Sequence, residues 1–422
     1  MDATQLNRPQ PLQPHEQVAL ESLVATAATT LATAFTTTLR LLPLETFAYQ
    51  PHIIRCQVQS TKADLPTTVI IKQARNLGGG QIYRADDPNF WGLAHRLFNE
   101  WAGTQFLQAL APTNRFGPLL LAANRETGFI VLQDLGNHTS VKNALLGRDT
   151  EQAETELLTL AATLGRLHAA TAGHRSEFEQ VRDRLGPRDP TMYPRHACYL
   201  LNSLGSLQIL LSEFGIEPDS RLTSEVTMLA TALAEPGEFA VYTHGDPCPL
   251  NWLRHSGALR AIDFEFGAYE HALLDAMHGR MLFPTYGFPQ GIPQALIQGM
   301  EHYYRSELVK GCQLAADDRT FAQAAVEACA FWIVFCLIRD LKPALRTRDA
   351  SAKIAAQCLM ARLQAFSIAA EGNEQFPALC AIAHSLIAKL VEVWSTEAYA
   401  LADYPAFRPS ELENERTTSS AT

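Results

Sequence analysis

Tyr242-Thr243-His244-Gly245-Asp246-Pro247-Cys248-Pro249-Leu250-Asn251-Trp252-Leu253 is followed, after a short polar break, by Leu259-Arg260-Ala261-Ile262-Asp263-Phe264-Glu265. Two short apolar runs flank a polar loop that holds one carboxylate, Asp246, and one carboxamide, Asn251. A second carboxylate, Asp263, ends the next apolar run. The pattern reads as strand, loop, short strand, turn, strand. A hairpin geometry would bring Asp246, Asn251 and Asp263 together on one rim. Such a set suits Mg²⁺-dependent phosphoryl transfer: an Asp accepts the proton of an attacking hydroxyl, and oxygen donors hold a hard cation against triphosphate oxygens. The plainer alternative is a hairpin whose Asp and Asn serve only its turns.

His244-Gly245-Asp246, four residues, Asn251, and then Ile262-Asp263-Phe264-Glu265 resembles the catalytic and metal loops of the aminoglycoside phosphotransferase and choline kinase family. The likeness spans about residues 36–285, with its strong motifs at 242–275. It implies an α+β, protein-kinase-like two-lobed fold. A small antiparallel five-stranded N-lobe would be followed by a large, mostly helical C-lobe, with ATP between them. GTP is a possible substitute for ATP, and Mg²⁺ is the implied metal. By the same resemblance Asp246 orients the acceptor hydroxyl and takes its proton late, while Asn251 and Asp263 bind metal. His244 braces the loop, Gly245 permits its tight turn, and Asp275 supports the loop from a helix start. Glu265 stands where protein kinases carry Gly. With no Ala-Pro-Glu segment after Asp263, this argues against a protein kinase.

Upstream, Pro14 opens a helix to about Thr30. Thr36–Leu42, His52–Val58 and Thr67–Gln73 read as three strands of an antiparallel meander. Lys72 ends the third. The resemblance assigns it to the ATP phosphates, oriented by Glu100 on the helix that follows, with Arg96 as another possible partner of Glu100. The connection Pro43–Tyr49 contains no glycine, so a backbone phosphate cradle of the usual kind is not expected there. Gly78-Gly79-Gly80 reads as a link, not a phosphate loop. Gly117–Ala122 and Gly128–Leu132 would complete the sheet. Gln133-Asp134-Leu135-Gly136 resembles the interlobe hinge, which makes Gln133 and Leu135 candidate adenine contacts through their main chain.

From Thr139 the pattern is helical. Asp149 or Thr150 caps a helix that ends near His168, a structural histidine on this reading. Further helices fall near 195–214 and 221–235, then at about 292–310, 318–340, 350–369 and 375–400, with Asp317 or Asp318 and Asp349 as caps. The division expected is a disordered lead 1–13, an N-lobe 14–134, a C-lobe 135–407 and a disordered tail 408–422.

A chain of 422 residues with 47% hydrophobic content fits two lobes around large cores. A net charge of −10 with no Lys/Arg run argues against a nucleic-acid partner. The eight cysteines form no Cys-x-x-Cys pair, which suits a reduced, cytoplasmic protein without a zinc site. The longest apolar run, near Ala328–Ile338, is too short to span a membrane. The expected partner is a small-molecule hydroxyl acceptor: an aminoglycoside, choline, an amino alcohol or a sugar. A kinase-like nucleotide- or ligand-binding protein with weak or absent turnover is the alternative. Oligomeric state is not legible.

Overall fold

Val69 and Ile71 are fully buried and their neighbours only partly so, the alternation of a strand with two unlike faces. That strand is the middle of a five-stranded sheet. The computed structural model describes residues 14–47, 50–74, 82–113, 115–136, 139–287, 289–394 and 401–409. Its first elements are α1 (Pro14–Ala34), β1 (Leu39–Phe47), β2 (Gln50–Ser60), β3 (Thr68–Gln73), α2 (Leu93–Leu110), β4 (Leu120–Asn124) and β5 (Phe129–Gln133). The helices α3 (Val141–Leu146), α4 (Thr150–Thr171), α5 (Arg175–Asp183), α6 (Arg195–Glu213) and α7 (Leu222–Ala234) follow. Then come β6 (Ala240–Thr243), β7 (Trp252–His255), β8 (Ala258–Ala261), β9 (Ala268–His271) and α8 (Ala272–Ala276). The chain closes with α9 (Gln294–Leu308), α10 (Asp318–Arg346), α11 (Ala350–Gly372) and α12 (Pro377–Trp394). The class is α+β. The expected lead, the Gly78–Gly80 link and the end of the expected tail lie outside the described residues.

The chain divides into two compact units. The first holds Met1–His138, Ser176–Pro190 and His255–Ala268. Its sheet runs β1-β2-β3-β5-β4, antiparallel throughout. One face is closed by α1, whose Leu23, Val24, Ala27 and Leu31 join Ile54, Cys56, Val69, Ile71, Phe129 and Val131 in one core. Lys72 follows Ile71, so it projects from the opposite face. The first strand is longer than the sequence suggested. The expected strand end at Leu42 and connection from Pro43 are corrected: β1 passes through Pro43 to Phe47, with register shifts at Pro43/Glu45 and Thr46/Phe47. Pro lacks the N–H a ladder needs, yet β1 is an edge strand and a bulge absorbs the gap. Residues 48–49 of that connection lie outside the described residues.

Two later segments join this unit, which departs from the continuous 14–134 division expected. Phe178 packs edge-on against Phe106 at 5.8 Å. The fully buried Arg182 donates to Asn99 Oδ1 at 2.7 Å and to the Gly186 carbonyl at 3.0 Å. A Cβ on Gly186 would come within 2.5 Å of the Phe98 ring, so this turn requires glycine.

The second unit holds Thr139–Arg175, Thr191–Arg254 and Tyr269–Thr422 and is mostly helical. Asp149, Asp317 and Asp349 each accept a main-chain N–H at a helix start, from Gln152, Thr320 and Ala352. β6 pairs with β9, not with β7 as a simple hairpin would require. The apolar run near Ala328 is part of a longer element than expected. Asp318–Arg346 and Pro377–Trp394 are both long and apolar enough to cross a membrane, which corrects the sequence reading. The first buries 72% of its most apolar stretch inside the unit, and its Trp332 donates to the Leu274 carbonyl at 2.8 Å. Burial of this extent is what a core helix shows. Glu327 on the same helix is only partly exposed, and burial pushes its carboxyl up to about 7. None of the eight cysteines is in a disulfide; seven are buried and Cys198 is half-buried.

Candidate active site

In the first unit, Lys72 lies 2.5 Å from Glu100 of α2 and also ion-pairs with Asp263. The side chains of Lys72 and Glu100 are 12% and 3% exposed, so the pair is shielded from water. Burial alone would push the Lys72 ammonium down. The carboxylates of Asp263 and Glu100 outweigh it and hold Lys72 above the ordinary lysine range. Burial also pushes Glu100 up, against the pull of Lys72.

Arg96 precedes Glu100 by one helical turn, so both face the same way from α2. Arg96 forks Glu265, with Nε to Oε2 at 2.9 Å and Nη2 to Oε1 at 2.5 Å. The sequence left Arg96 open as a partner for Glu100; it serves Glu265 instead. Asn99 Nδ2 adds a bond to the Glu265 carbonyl at 3.3 Å. The segment so pinned carries Asp263 at φ +70°, ψ +56°. That left-handed conformation is uncommon for a residue with a side chain; it costs about 1–3 kcal/mol and persists only where its surroundings impose it. His52, Lys72, Arg96, Glu100 and Glu265 line a small cavity of about 30 Å³ within this unit.

Gln133 and Leu135, expected to contact the nucleotide base, are tied down locally. Gln133 donates its N–H to the Leu119 carbonyl at 2.8 Å and accepts from Leu119 N through Oε1 at 3.3 Å. The Leu135 carbonyl lies 3.0 Å from His255 Nδ1. Between them Asp134 accepts from Gly136 N and pairs with Arg55 at 2.9 Å.

In the second unit, β6 delivers the loop that starts at His244. Gly245 sits at φ +79°, the turn its lack of Cβ allows. Asp275 of α8 latches this turn. Its carboxylate accepts the main-chain N–H of His244 at 2.6 Å and of Gly245 at 3.1 Å, with His168 Nε2 at 3.4 Å. Burial would raise the Asp275 pKa, but His168, His278 and His244 pull the other way and bring it down to about 2. The His244 ring is fully buried, stacks on Trp252, and accepts Asp246 N at Nδ1 over 3.2 Å.

Asp246 follows. Its Oδ1 accepts a 2.5 Å hydrogen bond from the Thr285 hydroxyl. Asn251 Nδ2 donates to the Asp246 carbonyl at 3.0 Å and to Oδ2 at 3.3 Å. With its nitrogen so committed, Asn251 keeps its carbonyl oxygen as the acceptor, the atom a hard cation takes. Asp263 is 25% exposed at its side chain, and its carboxylate already neutralises a cation, the Lys72 ammonium. Both donors therefore fit Mg²⁺. Among the described residues no cluster of three His, Cys, Asp or Glu side chains forms a metal site.

The three residues expected on one rim thus fall into two clusters. Asp263 belongs with Lys72 and Glu100 in the first unit; Asp246 and Asn251 belong with His244 and Asp275 in the second. The sequence reading missed three participants. The Arg96–Glu265 fork joins residues 169 apart in the chain, and no local pattern signals it. His278 is fully buried, with both ring nitrogens lacking a hydrogen-bond partner among the described residues. Burial brings it down to about 4. Thr285, 39 residues from Asp246, has no local signal at all.

Residues 104–313 match the model of the phosphotransferase enzyme family. The chain belongs to that family of phosphotransferases. Among solved structures it is similar to an ethanolamine kinase of Plasmodium vivax, at 10% identity and a TM-score of 0.44, over 86% of this chain and 97% of that one. A choline kinase of Cryptosporidium parvum aligns at 12% identity and 0.40, over 88% and 94%. A macrolide 2′-phosphotransferase of Brachybacterium faecium aligns at 13% and 0.37, over 80% and 98%. Among curated proteins, none matches by sequence.

Proposed function

We propose that the protein transfers the γ-phosphoryl group of ATP to a hydroxyl of a small molecule, with Mg²⁺ bound by Asn251 and Asp263. The observation that carries this reading is the shielded Lys72–Glu100 pair with Asp263 on the same ammonium. A cation held between two carboxylates can exchange one of them for a phosphate oxygen without leaving its site. Glu100 then keeps Lys72 in place while its charge turns to the nucleotide. Mg²⁺, when bound, would supply the charge neutralisation that a loose phosphoryl transition state needs. Arg96 and Glu265 hold the Asp263 segment.

Asp246 is the group we assign to the acceptor hydroxyl. As the phosphorus–oxygen bond to the leaving ADP breaks and the bond to the acceptor oxygen forms, the hydroxyl proton passes to the Asp246 carboxylate. His244 and Asp275 hold the loop through its main chain, and Asn251 orients the carboxylate from the other side. Gln133 and Leu135 are assigned to the nucleotide base. The cysteines, none in a disulfide, support placing the protein in the cytoplasm.

The test is transfer of label from [γ-³²P]ATP, and separately from GTP, to a panel of choline, ethanolamine, aminoglycosides and sugars. Label on one of these supports the reading and names the acceptor. Nucleotide binding without transfer to any acceptor or to water favours the binding-protein alternative, for which the glycine-free stretch Pro43–Phe47 is the supporting feature. Label on protein alone overturns the acceptor class.

A further inference from the structure

Thr285 sits in a turn that is held more firmly than a surface turn needs to be. Leu282 and Phe283 are consecutive and both left-handed, at φ +54° and +46°. Neither is a residue that adopts this conformation freely, and such pairs persist only where the surroundings impose them. Here the surroundings are visible. Arg362 of α11, 1% exposed, donates to the carbonyls of Met281 at 2.8 Å and Leu282 at 3.3 Å. Arg339 of α10 donates to the Pro284 carbonyl at 2.5 Å. Asp340 pairs with both arginines, which fixes them relative to each other. Phe283 N donates to the His278 carbonyl at 2.6 Å and Tyr286 N to the Phe283 carbonyl at 2.8 Å.

The next side chain after this clamp is Thr285, and its hydroxyl goes to Asp246 Oδ1. The carboxylate's other side-chain donors among the described residues are weaker: Asn251, at a long 3.3 Å on the opposite oxygen, and the Cys248 thiol. Without Thr285 the carboxylate would lose its shortest hydrogen bond, and the Asp side chain would turn more freely about its last bond. Strain found next to a functional group points to a task at that group, and the short bond to Asp246 links this turn to the loop.

We propose that Thr285 is a positioning residue for Asp246: the Arg362–Arg339 clamp fixes the 281–285 turn so that the Thr285 hydroxyl sets the orientation of the carboxylate, leaving Oδ2 to meet the acceptor hydroxyl. This rests on the assignment of Asp246 as the proton acceptor. The hydroxyl acts by its hydrogen bond and does not itself touch substrate. Its removal therefore lowers the rate of transfer and leaves acceptor binding nearly unchanged. The Thr285 methyl is not required, so serine suffices.

The experiment compares wild type with Thr285→Val, Thr285→Ser, Arg339→Gln and Asp246→Asn. Each is assayed for turnover of Mg²⁺-ATP with choline, with ethanolamine and with water alone as acceptor. Thr285→Val should lose about 10- to 100-fold in kcat, with KM within about threefold. Thr285→Ser should recover most of that loss. Arg339→Gln, which loosens the clamp and keeps the hydroxyl, should lose a few-fold, about threefold. A Thr285→Val enzyme with wild-type kcat, beside an inactive Asp246→Asn, overturns the Thr285 assignment alone. Equal losses in Thr285→Val and Thr285→Ser also overturn it, since they mean packing and not the hydroxyl. Full activity in Asp246→Asn, or no turnover in wild type, overturns the underlying assignment instead.

Discussion

The two clusters are held together by different physics. Around Lys72 the contacts are between full charges: Lys72 with Glu100 and Asp263, Arg96 with Glu265. Around Asp246 they are hydrogen bonds from neutral groups: a threonine hydroxyl, an asparagine amide, and main-chain N–H groups answered by Asp275. Charge pairs are strong, broad in angle and able to exchange partners. Neutral hydrogen bonds are weaker and directional. The first cluster is thus suited to receiving a polyanion, which must displace a carboxylate from a cation. The second is suited to aiming one oxygen atom. On the proposed function, holding charge and holding geometry fall to residues of different units of the chain.

The sharpest way to break this contrast is Asp246→Asn. It should lower phosphoryl transfer by about 10³-fold, since base contributions are usually 10²–10⁴, and leave Tm unchanged because the bonds to Asp246 are few. A large drop in Tm would mean that the second cluster is structural after all. Lys72→Met tests the first cluster in the opposite sense. It strands Glu100 in a buried site and should destabilise the first unit by about 3 kcal/mol. It should also abolish the stabilisation by Mg²⁺-ATP, which at a hundred times Kd is about 2.7 kcal/mol for the wild type. Thermal unfolding with and without nucleotide reads both effects.

Asp275 gives the next effect in size. Its folded pKa of about 2 lies below the ordinary 3.8, so it contributes stability that is fully present above about pH 4 and lost as pH falls toward 2. Asp275→Asn should cost roughly 2 kcal/mol at pH 7 and have little effect at pH 2, by urea denaturation across pH. The smallest effect is of opposite sign. Glu327 is pushed up to about 7, so the folded state favours its proton and stability declines as pH rises from about 4.5 to 7. Glu327→Gln should stabilise the protein at pH 8 by about 1 kcal/mol, after allowance for its partial exposure, and leave it unchanged at pH 4.

Much of this arrangement was legible in the sequence because it is encoded locally. The β-branched run Thr67–Ile71 marks the strand that ends at Lys72, while the face on which Lys72 projects shows only in the alternating burial of that strand. The loop from His244 to Asn251 declares itself by residue types that only a special backbone accommodates, Gly245 among them. What escaped was set by distance along the chain or by a neighbour's geometry. Pro43 reads as a strand end, and only its place on an edge strand with a bulge lets β1 continue to Phe47. Segment 255–268 joins the first unit through ion pairs with Lys72 and Arg96, made more than 160 residues apart in sequence. Thr285 meets Asp246 through a turn whose strain is imposed by two arginines from α10 and α11, and no local pattern announces that.

The burial of the cysteines turns the protein into its own stopwatch. Cys56 lies in the core of the first unit, while Cys248, Cys312, Cys329, Cys336, Cys358 and Cys380 are buried in the second. A thiol reagent added to native protein meets only the half-buried Cys198 at once; every other modification waits for a core to open. Peptide-resolved alkylation would therefore time the opening of each unit separately in the unmutated chain, and a ligand that steadies one unit would slow the clock only of the cysteines that unit encloses.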